Sequence, residues 1–326
     1  MKHTIIISAL FILVGRMETA VAQDEPQFSQ YMAAPVLFNP GAAGLEDAWI
    51  TSVHIRSQWV NIPGAPQTQA LISQLPVYRL RGGISLQVAN DQVGQQQTTR
   101  AVGGYSWHLP VGKATLGLGV YGGIAARTLD GSKLIAPQGS YESVVDHNDN
   151  LLPTTLETAI IPDAGAGVFY QGRRLAAGAS VTHLLNNSFQ FSTPEAVASI
   201  QYSPNAYVFV SYQLLRSEKF SLVPNVLYKS DFTESMVDLN ALFTYNDALL
   251  AGVSYRGYLN QQADAVVAIG GWNFSEFWSI RYSYDITLSE LNNASAGSHE
   301  VVLMYRYPVQ RPRAGKEINN LRYLYY

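Results

Sequence analysis

Three short segments of the chain contain residue types that could do chemistry. The first, residues 117–122, fits the G-x-G-x-x-G pattern of dinucleotide-binding turns. That chemistry needs a helix that opens at the glycines, so that the helix N-terminus meets the pyrophosphate. Here the glycines alternate with Leu116, Leu118 and Val120, which is typical of a strand. We therefore interpret them as glycines of a tightly packed strand and predict no nucleotide site.

The other two segments are candidate metal sites. His299 and Glu300 begin like the zinc motif H-E-x-x-H, but Leu303 stands where the second histidine ligand belongs. Residues 146–150 (D-H-N-D-N) are rich in the oxygen ligands that Ca²⁺ prefers, although their spacing is not that of an EF-hand. We therefore predict no zinc site at His299 and Glu300, and for 146–150 we favour a solvated surface loop over calcium binding. We find no catalytic Ser/His/Asp arrangement, and we predict neither an enzyme nor a cofactor.

These segments lie in a chain whose main pattern is period-two alternation of apolar and polar residues. Such alternation is typical of strands with one apolar and one polar face. About 14 strands are predicted, an even number, as in single-chain bacterial outer-membrane barrels. The candidate strands are 50–60, 67–75, 82–89, 99–109, 114–125, 163–170, 174–183, 206–215, 220–230, 236–245, 248–257, 263–273, 277–286 and 299–307.

Short turns and longer loops alternate between the strands, and residues 126–162 and 184–205 are the longest connections. This asymmetry is typical of outer-membrane barrels, whose periplasmic turns are short and whose external loops are long. The predicted fold class is therefore an all-β transmembrane antiparallel β-barrel with a periplasmic N-terminal arm. Two soluble β-domains would fit the length, but no linker divides the chain.

The polar face of each strand is predicted to face the lumen. In 277–286, Trp278, Ile280 and Tyr282 share one face and Arg281 and Asp285 the other. An Arg or Lys that faces lipid at mid-depth costs about 2–4 kcal/mol, so the charged faces point inward. They form either a packed polar interior or the lining of a water path. The predicted lumen-facing residues are His54, Arg56, Gln58, Arg256, Arg281, Asp285, Glu300 and Arg306.

Export is indicated by residues 1–22, which resemble a cleaved signal peptide: an apolar core at 5–14 and a small-x-small site at 20–22. The chain has no Cys, so the stability of the exported protein must come from elsewhere, and a closed barrel supplies inter-strand hydrogen bonds. Charged residues make up 14% of the chain, below the roughly 25% of soluble domains. The net charge of −3 predicts no nucleic-acid partner.

Two segments flank the barrel, which is predicted at 49–308. Residues 23–48 are interpreted as an extended periplasmic arm, and residues 309–326 as a basic periplasmic tail. The arm and the tail either meet periplasmic partners or fold into the lumen. The arm contains the prolines Pro26, Pro35 and Pro40, which disfavour helix before them, and the aromatic anchors Phe28, Tyr31 and Phe38.

Motifs at both ends of the mature chain carry a family resemblance. Residues 27–32 (Q-F-S-Q-Y-M) are followed by 38–44 (F-N-P-G-A-A-G), and 56–59 (R-S-Q-W) by 64–66 (G-A-P). Near the end come 252–256 (G-V-S-Y-R), 282–285 (Y-S-Y-D) and 297–300 (G-S-H-E). In this order they resemble the PorP/SprF family of the Bacteroidetes. Glu25, between Asp24 and Pro26, is a one-residue insertion relative to the usual start of that family. Ala33-Ala34 stand where the family often has bulkier residues.

The resemblance implies a non-enzymatic outer-membrane barrel of type IX secretion, which in gliding members helps export or display large adhesins. The implied partners are a secreted adhesin or effector, recognised by its C-terminal sorting domain, periplasmic lipoprotein or motor-associated components, and outer-membrane lipid. The arm motifs supply the candidate partner-binding residues, which are Phe28, Gln30, Tyr31, Asn39, Pro40 and Gly44.

Two other functions stay open at this point. A channel for a small solute, resembling the fatty-acid-type porins, is the main alternative, because inward charges suit a water path as well as a filled lumen. A soluble periplasmic β-protein is a weaker one, and the outward Trp, Tyr and Leu faces argue against it.

Overall fold

Fourteen antiparallel strands form a closed barrel. The computed structural model describes residues 25–136, 139–140, 145–149, 152–193, 197–259 and 263–310. The strands are β1 (Ala48–Ser57), β2 (Gln67–Val77), β3 (Gly82–Val93), β4 (Gln96–Val111), β5 (Ala114–Asp130), β6 (Leu156–Gln171), β7 (Leu175–Thr182), β8 (Asn205–Tyr212), β9 (Phe220–Ser230), β10 (Ser235–Tyr245), β11 (Leu249–Tyr258), β12 (Ala263–Asn273), β13 (Trp278–Thr287) and β14 (Ser298–Pro308). Each strand pairs with the next, and β14 pairs with β1 to close the ring. The predicted all-β, 14-stranded barrel is confirmed.

Alternation along the strands separates an apolar outer face from a polar inner face. In β14, Val301 and Leu303 are each 38% exposed on the outside, whereas Glu300 and Val302 are fully buried inside. The same pattern leaves large apolar side chains exposed around the barrel, which an aqueous protein would bury. A lipid bilayer solvates such a surface, so the outer face suits a membrane environment.

The two ends of the barrel differ. At one end, here the turn end, short connections such as 112–113, 172–174 and 246–248 join even-numbered strands to the next ones. The opposite loop end has the long connections 131–155 and 183–204, although β3 and β4 are joined there by two residues only. Exposed tryptophans cluster near the turn end, as in the aromatic girdle of an outer-membrane barrel. They are Trp49, Trp107, Trp272 and Trp278.

The arm, residues 25–47, folds inside the barrel in three 3₁₀ turns: Tyr31–Ala33, Pro35–Leu37 and Pro40–Ala42. Pro35 and Pro40 each occupy the first position of a turn, where a missing N–H is not needed. The prediction of an extended conformation was wrong, because these prolines start turns instead of keeping the chain straight. No helix of the described residues is long and apolar enough to cross a membrane.

A small outer hairpin at the loop end, residues 188–201, lies within the predicted long loop 184–205. Its strands are Ser188–Ser192 and Val197–Gln201. Phe189 and Phe191 are buried against Leu129 and Ile161 on the lumen side of β5 and β6. The guanidinium of Arg127 lies 4.5 Å from the centre of the Phe189 ring, in a cation–π contact.

The proposed signal peptide at 1–22 and most of the proposed tail at 309–326 lie outside the described residues. These two assignments, and the domain boundaries drawn from them, stay predictions.

Candidate functional site in the lumen

Ser29 of the arm is the centre of a buried group of charges. Its backbone N–H donates to Glu300 Oε2 at 2.7 Å, and its hydroxyl donates to Asp285 Oδ2 at 2.7 Å. The hydroxyl oxygen accepts from Arg56 Nη1 at 2.8 Å and from Arg256 Nη2 at 2.7 Å. One serine therefore connects the arm to four charged side chains of the barrel wall.

Ion pairs join these side chains to each other. Asp285 Oδ2 lies 2.8 Å from Arg56 Nη2 and 3.1 Å from Arg256 Nη1. Arg256 Nε lies 3.2 Å from Asp238 Oδ2, and Arg56 Nη1 lies 3.4 Å from Glu300 Oε2. We call this group the Ser29 cluster; all of its members are at most 2% exposed. It consists of Ser29, Arg56, Asp238, Arg256, Asp285 and Glu300.

Strand register brings the Ser29 cluster together. Arg56 of β1 is opposite Glu300 of β14, and Asp238 of β10 is opposite Arg256 of β11. Buried charges are tolerated when they are paired and hydrogen-bonded, and here two guanidinium groups face three carboxylates. His54 Nδ1 lies 3.5 Å from Glu300 Oε1.

Glu25 forms a second contact between the arm and the wall, closer to the loop end. Its carboxylate lies 3.4 Å from His183 Nε2 and accepts a hydrogen bond from the Tyr207 hydroxyl. His183 Nδ1 in turn lies 2.9 Å from Asp163 Oδ1. Burial alone would raise the pKa of Glu25, but His183 and Lys229 lower it to about 2. Burial would lower the pKa of His183, but Glu25 and Asp163 raise it.

Asn39 fixes the other end of the arm. Its amide donates to the backbone carbonyls of Val168 in β6 at 3.0 Å and of Ala179 in β7 at 3.2 Å. Its side-chain oxygen accepts from the N–H of Gly41 at 2.9 Å, which caps the last 3₁₀ turn. A single side chain therefore shapes the turn and binds two strands.

The glycines of the G-x-G-x-x-G segment make room for this turn. Gly117 and Gly119 are in β5, and a Cβ on Gly119 would lie 2.2 Å from the backbone nitrogen of Gly41. A Cβ on Gly117 would lie 2.1 Å from the carbonyl oxygen of Gly41. The segment is a strand that the arm approaches closely, so the interpretation as packed glycines, without a nucleotide-binding turn, agrees with the structure.

The six candidate partner-binding residues all lie inside the barrel. Gln30 and Asn39 are fully buried, Tyr31 is 2% exposed, and Phe28 packs edge-on against His54. Their contacts are with the wall, so in this conformation they offer no surface to a protein outside the barrel. The remaining members, Pro40 and Gly44, are buried as well.

Most of the eight lumen-facing candidates surround the arm. Arg281 and Arg306 lie towards the turn end, and Arg306 pairs with Glu46 at the end of the arm. Arg281 is partly buried, and Arg306 is 44% exposed at the rim. The other six are buried, namely His54, Arg56, Gln58, Arg256, Asp285 and Glu300.

Sequence reasoning missed Ser29, Glu25 and His183 as members of the site. The Q-F-S-Q-Y-M motif contained a signal for Ser29, because a small polar residue stands between two that were chosen. His183 and Glu25 are 158 positions apart in sequence and carry no motif, so no sequence signal joined them.

A cavity lies on the loop-end side of the arm. It holds about 890 Å³ of empty space, part of it open to solvent. Apolar side chains such as Phe28, Ile72 and Leu227 line it, together with the charged Arg100 and Lys229. The lumen is therefore filled on one side by the arm and partly empty on the other.

The described residues contain no group of three or more metal-ligating His, Asp or Glu side chains. In the candidate calcium loop, Asp146 accepts the backbone N–H of Asn148 at 2.9 Å, which is a local turn contact. His147 is buried and contacts the backbone carbonyls of Gly131 and Pro153. Asn150 lies outside the described residues, so the structure does not test the less favoured alternative of calcium binding there.

Comparison with known protein families identifies the family to which the chain belongs. Residues 20–305 match the sequence model of the type IX secretion system membrane protein PorP/SprF. The chain belongs to the PorP/SprF family. The resemblance found in the sequence motifs is confirmed, and membership indicates a structural or transport role in secretion with substrates and components of that system as partners. A search of curated proteins gave no match.

Solved structures confirm the fold of this PorP/SprF protein as an outer-membrane barrel. The Pseudomonas putida toluene transporter TodX is 11% identical with a TM-score of 0.51, covering 84% of this chain and 93% of its own. The monoaromatic hydrocarbon channel CymD is 11% identical with a TM-score of 0.50, covering 89% and 95%. At this identity the likeness concerns the fold, and it agrees with an outer-membrane location.

Proposed function

We propose that this protein is a non-enzymatic barrel that supports export and surface anchoring of a secreted adhesin or effector by binding its C-terminal sorting domain. The observation that carries the proposal is the filled lumen in a member of a secretion family. An arm fixed in the lumen by the Ser29 cluster is more compatible with a barrel that binds a protein partner than with one that conducts solutes. Gliding motility is the process in which such display of an adhesin would act.

The loop end is the side on which we place the secreted partner. Residues 131–155 and 183–204 are the long connections there, and the outer hairpin gives part of the second one a defined shape. The six arm residues suggested by the sequence become available to a partner only if the arm leaves the lumen. On the turn-end side, the rim pair Glu46–Arg306 and the tail are where a periplasmic lipoprotein or motor-associated component would bind.

A pull-down of the tagged protein from native outer membranes in mild detergent tests the anchoring function. Mass spectrometry is expected to find a large secreted protein with a type IX sorting domain. The same experiment on a deletion of residues 131–155, with barrel assembly checked by heat-modifiable migration, should lose that protein. A barrel purified without any secreted partner would contradict the proposal.

A solute channel is the second candidate function, and the cavity beside the arm favours it. Its mostly apolar lining suggests an apolar solute, as do the two similar barrels, a toluene transporter and a monoaromatic hydrocarbon channel. Conductance in planar bilayers separates the two functions. We expect closed wild-type barrels and open pores after deletion of residues 25–44; steady wild-type conductance would favour the channel.

A further inference from the structure

In the described part of the chain, the outer half of β6 has one edge without a neighbouring strand. On one side, β5 pairs with β6 along its whole length, from Gln171 to Leu156. On the other side, β7 pairs with β6 only from Gln171 to Ala166. The chain then turns away at His183, whose φ is +53°. Within the described residues, no strand pairs with this side of β6 at 156–165.

Backbone direction shows which groups face this edge. Along an antiparallel strand, successive residues point their N–H and C=O groups to opposite sides. Thr155 O accepts the N–H of Gly131 on the β5 side, whereas Ala164 O accepts the N–H of Leu184 on the other side. Even-numbered residues of β6 therefore face the edge, and among them Thr158 and Ile160 have no backbone partner in the described part of the chain.

The position of these groups explains why they are tolerated. A transmembrane strand needs about 9–11 residues, and β6 has 16. Counted from Gln171 at the turn end, the membrane-spanning part of β6 includes Pro162 and Ala164. Pro162 has no N–H and its carbonyl accepts from Asn187 Nδ2 at 2.9 Å, so this part of the edge is largely satisfied. Thr158 and Ile160 lie beyond the span, where an open edge is compatible with water.

The two faces of the edge differ. Phe189 and Phe191 of the outer hairpin cover the inner face. Leu156 and Ile160 are 64% and 65% exposed on the outer face. A strand added here would extend the sheet and cover part of the apolar surface, which is the usual mode of β-augmentation.

We propose that this edge, residues 156–160 of β6, accepts an extended segment of the secreted protein as an added strand. The inference rests on the proposed function and names the surface that performs it. An edge of alternating N–H and C=O groups selects extended backbone, and its outer position faces the side to which secreted proteins go.

A second copy of the barrel fits the edge less well. In two copies inserted in one membrane, the β6 strands run in the same direction. A two-fold axis along the membrane normal would place identical residues of the two strands at equal height. A parallel ladder needs the facing groups of the two strands to be offset by one residue. The symmetric arrangement therefore does not form a regular ladder.

The test uses the full-length barrel and the sorting domain of the protein recovered with it. Ile160→Pro removes one edge N–H without touching the β5 ladder, and Pro162 shows that this edge accommodates proline. Ile160→Val is the matched control, because it keeps the backbone donor. We expect I160V to bind the sorting domain like wild type and I160P to bind about tenfold more weakly, as the loss of one or two hydrogen bonds predicts.

A second measurement does not depend on how proline is tolerated. The chain has no Cys, so Thr158→Cys gives a unique thiol for disulfide trapping with single-cysteine sorting domains. A regular ladder should give crosslinks that alternate along the partner strand. Equal binding by I160P and wild type, or crosslinks only between two barrels, would overturn the proposal. A wild-type barrel that binds no sorting domain would instead contradict the proposed function.

Discussion

The two halves of the lumen follow opposite rules. On one side, formed by β10, β11, β13, β14 and β1, the arm is bound to the wall, and the Ser29 cluster pairs buried charges from several strands around one hydroxyl. On the other side, a cavity remains beside the arm, and within the described part of the chain β6 keeps unpaired backbone groups along 156–160. The comparison teaches that one barrel can bind its own arm tightly on one side and keep free space and an open strand edge on the other.

Breaking the Ser29 cluster should have the largest effect. Arg56→Met leaves Glu300 and Asp285 buried without one of their partners, and removal of one member of a buried ion pair costs about 3–5 kcal/mol. We expect the free energy of unfolding, measured by urea titration in detergent, to fall by that amount. Arg306→Met is the control, because its pair with Glu46 is half exposed and contributes at most about 1 kcal/mol. Equal losses of free energy of unfolding in the two variants would show that burial of the ion pair does not determine how much its loss destabilises the barrel.

Crowding the arm should have an intermediate effect. Gly119→Ala places a methyl group against Gly41, and overpacking of this kind costs about 1–3 kcal/mol. Chymotrypsin should then cut the displaced arm at its aromatic residues. Gly122→Ala is the matched control in the same strand, since a Cβ there meets no atom within 4 Å. The prediction fails if both variants resist cleavage as wild type does.

Titration of the contact between Glu25 and His183 should have the smallest effect. Glu25 has a pKa near 2 in the folded protein against 4.5 ordinarily, so its contribution is full above pH 4.5 and is lost as the pH falls towards 2. His183 has a raised pKa, so its contribution is full below pH 6.5 and is lost as the pH rises through the raised value. The start of the arm should be held most firmly between about pH 4.5 and 6.5.

An environment-sensitive fluorophore on Pro26→Cys would report this change. Emission should shift on both sides of that pH window in an otherwise wild-type barrel. The added substitution His183→Gln should abolish the shift on the alkaline side and move the acid-side shift to higher pH, because His183 helps to lower the pKa of Glu25. An alkaline shift that survives in the double variant would assign it to another group.

The two halves also differ in how well the sequence predicted them. Period-two alternation located all 14 strands, because every strand has one face towards lipid and the other towards the lumen. Alternation does not tell a paired edge from an unpaired one, so the open side of β6 was invisible. Pro162 also shortened the predicted strand, which was placed at 163–170 and in fact begins at Leu156.

The arm was predicted as a segment, and folding into the lumen was one of the two places left open for it. It has no periodicity, and its partners are distant in sequence, so the residues alone left its place open. The outer hairpin was missed for a similar reason: its strands have five residues each and depend on Phe189 and Phe191 finding a surface on β5 and β6.

The bond between Ser29 and Glu300 has a consequence for the order in which the protein matures. The donor and the acceptor are 271 positions apart, so this bond forms only after both ends of the chain have reached their places in the barrel. Contacts of such separation form late, because the intervening chain must first be ordered. The interior therefore cannot be completed until β14 is in place, and a sealed interior marks a barrel whose last strand has been inserted.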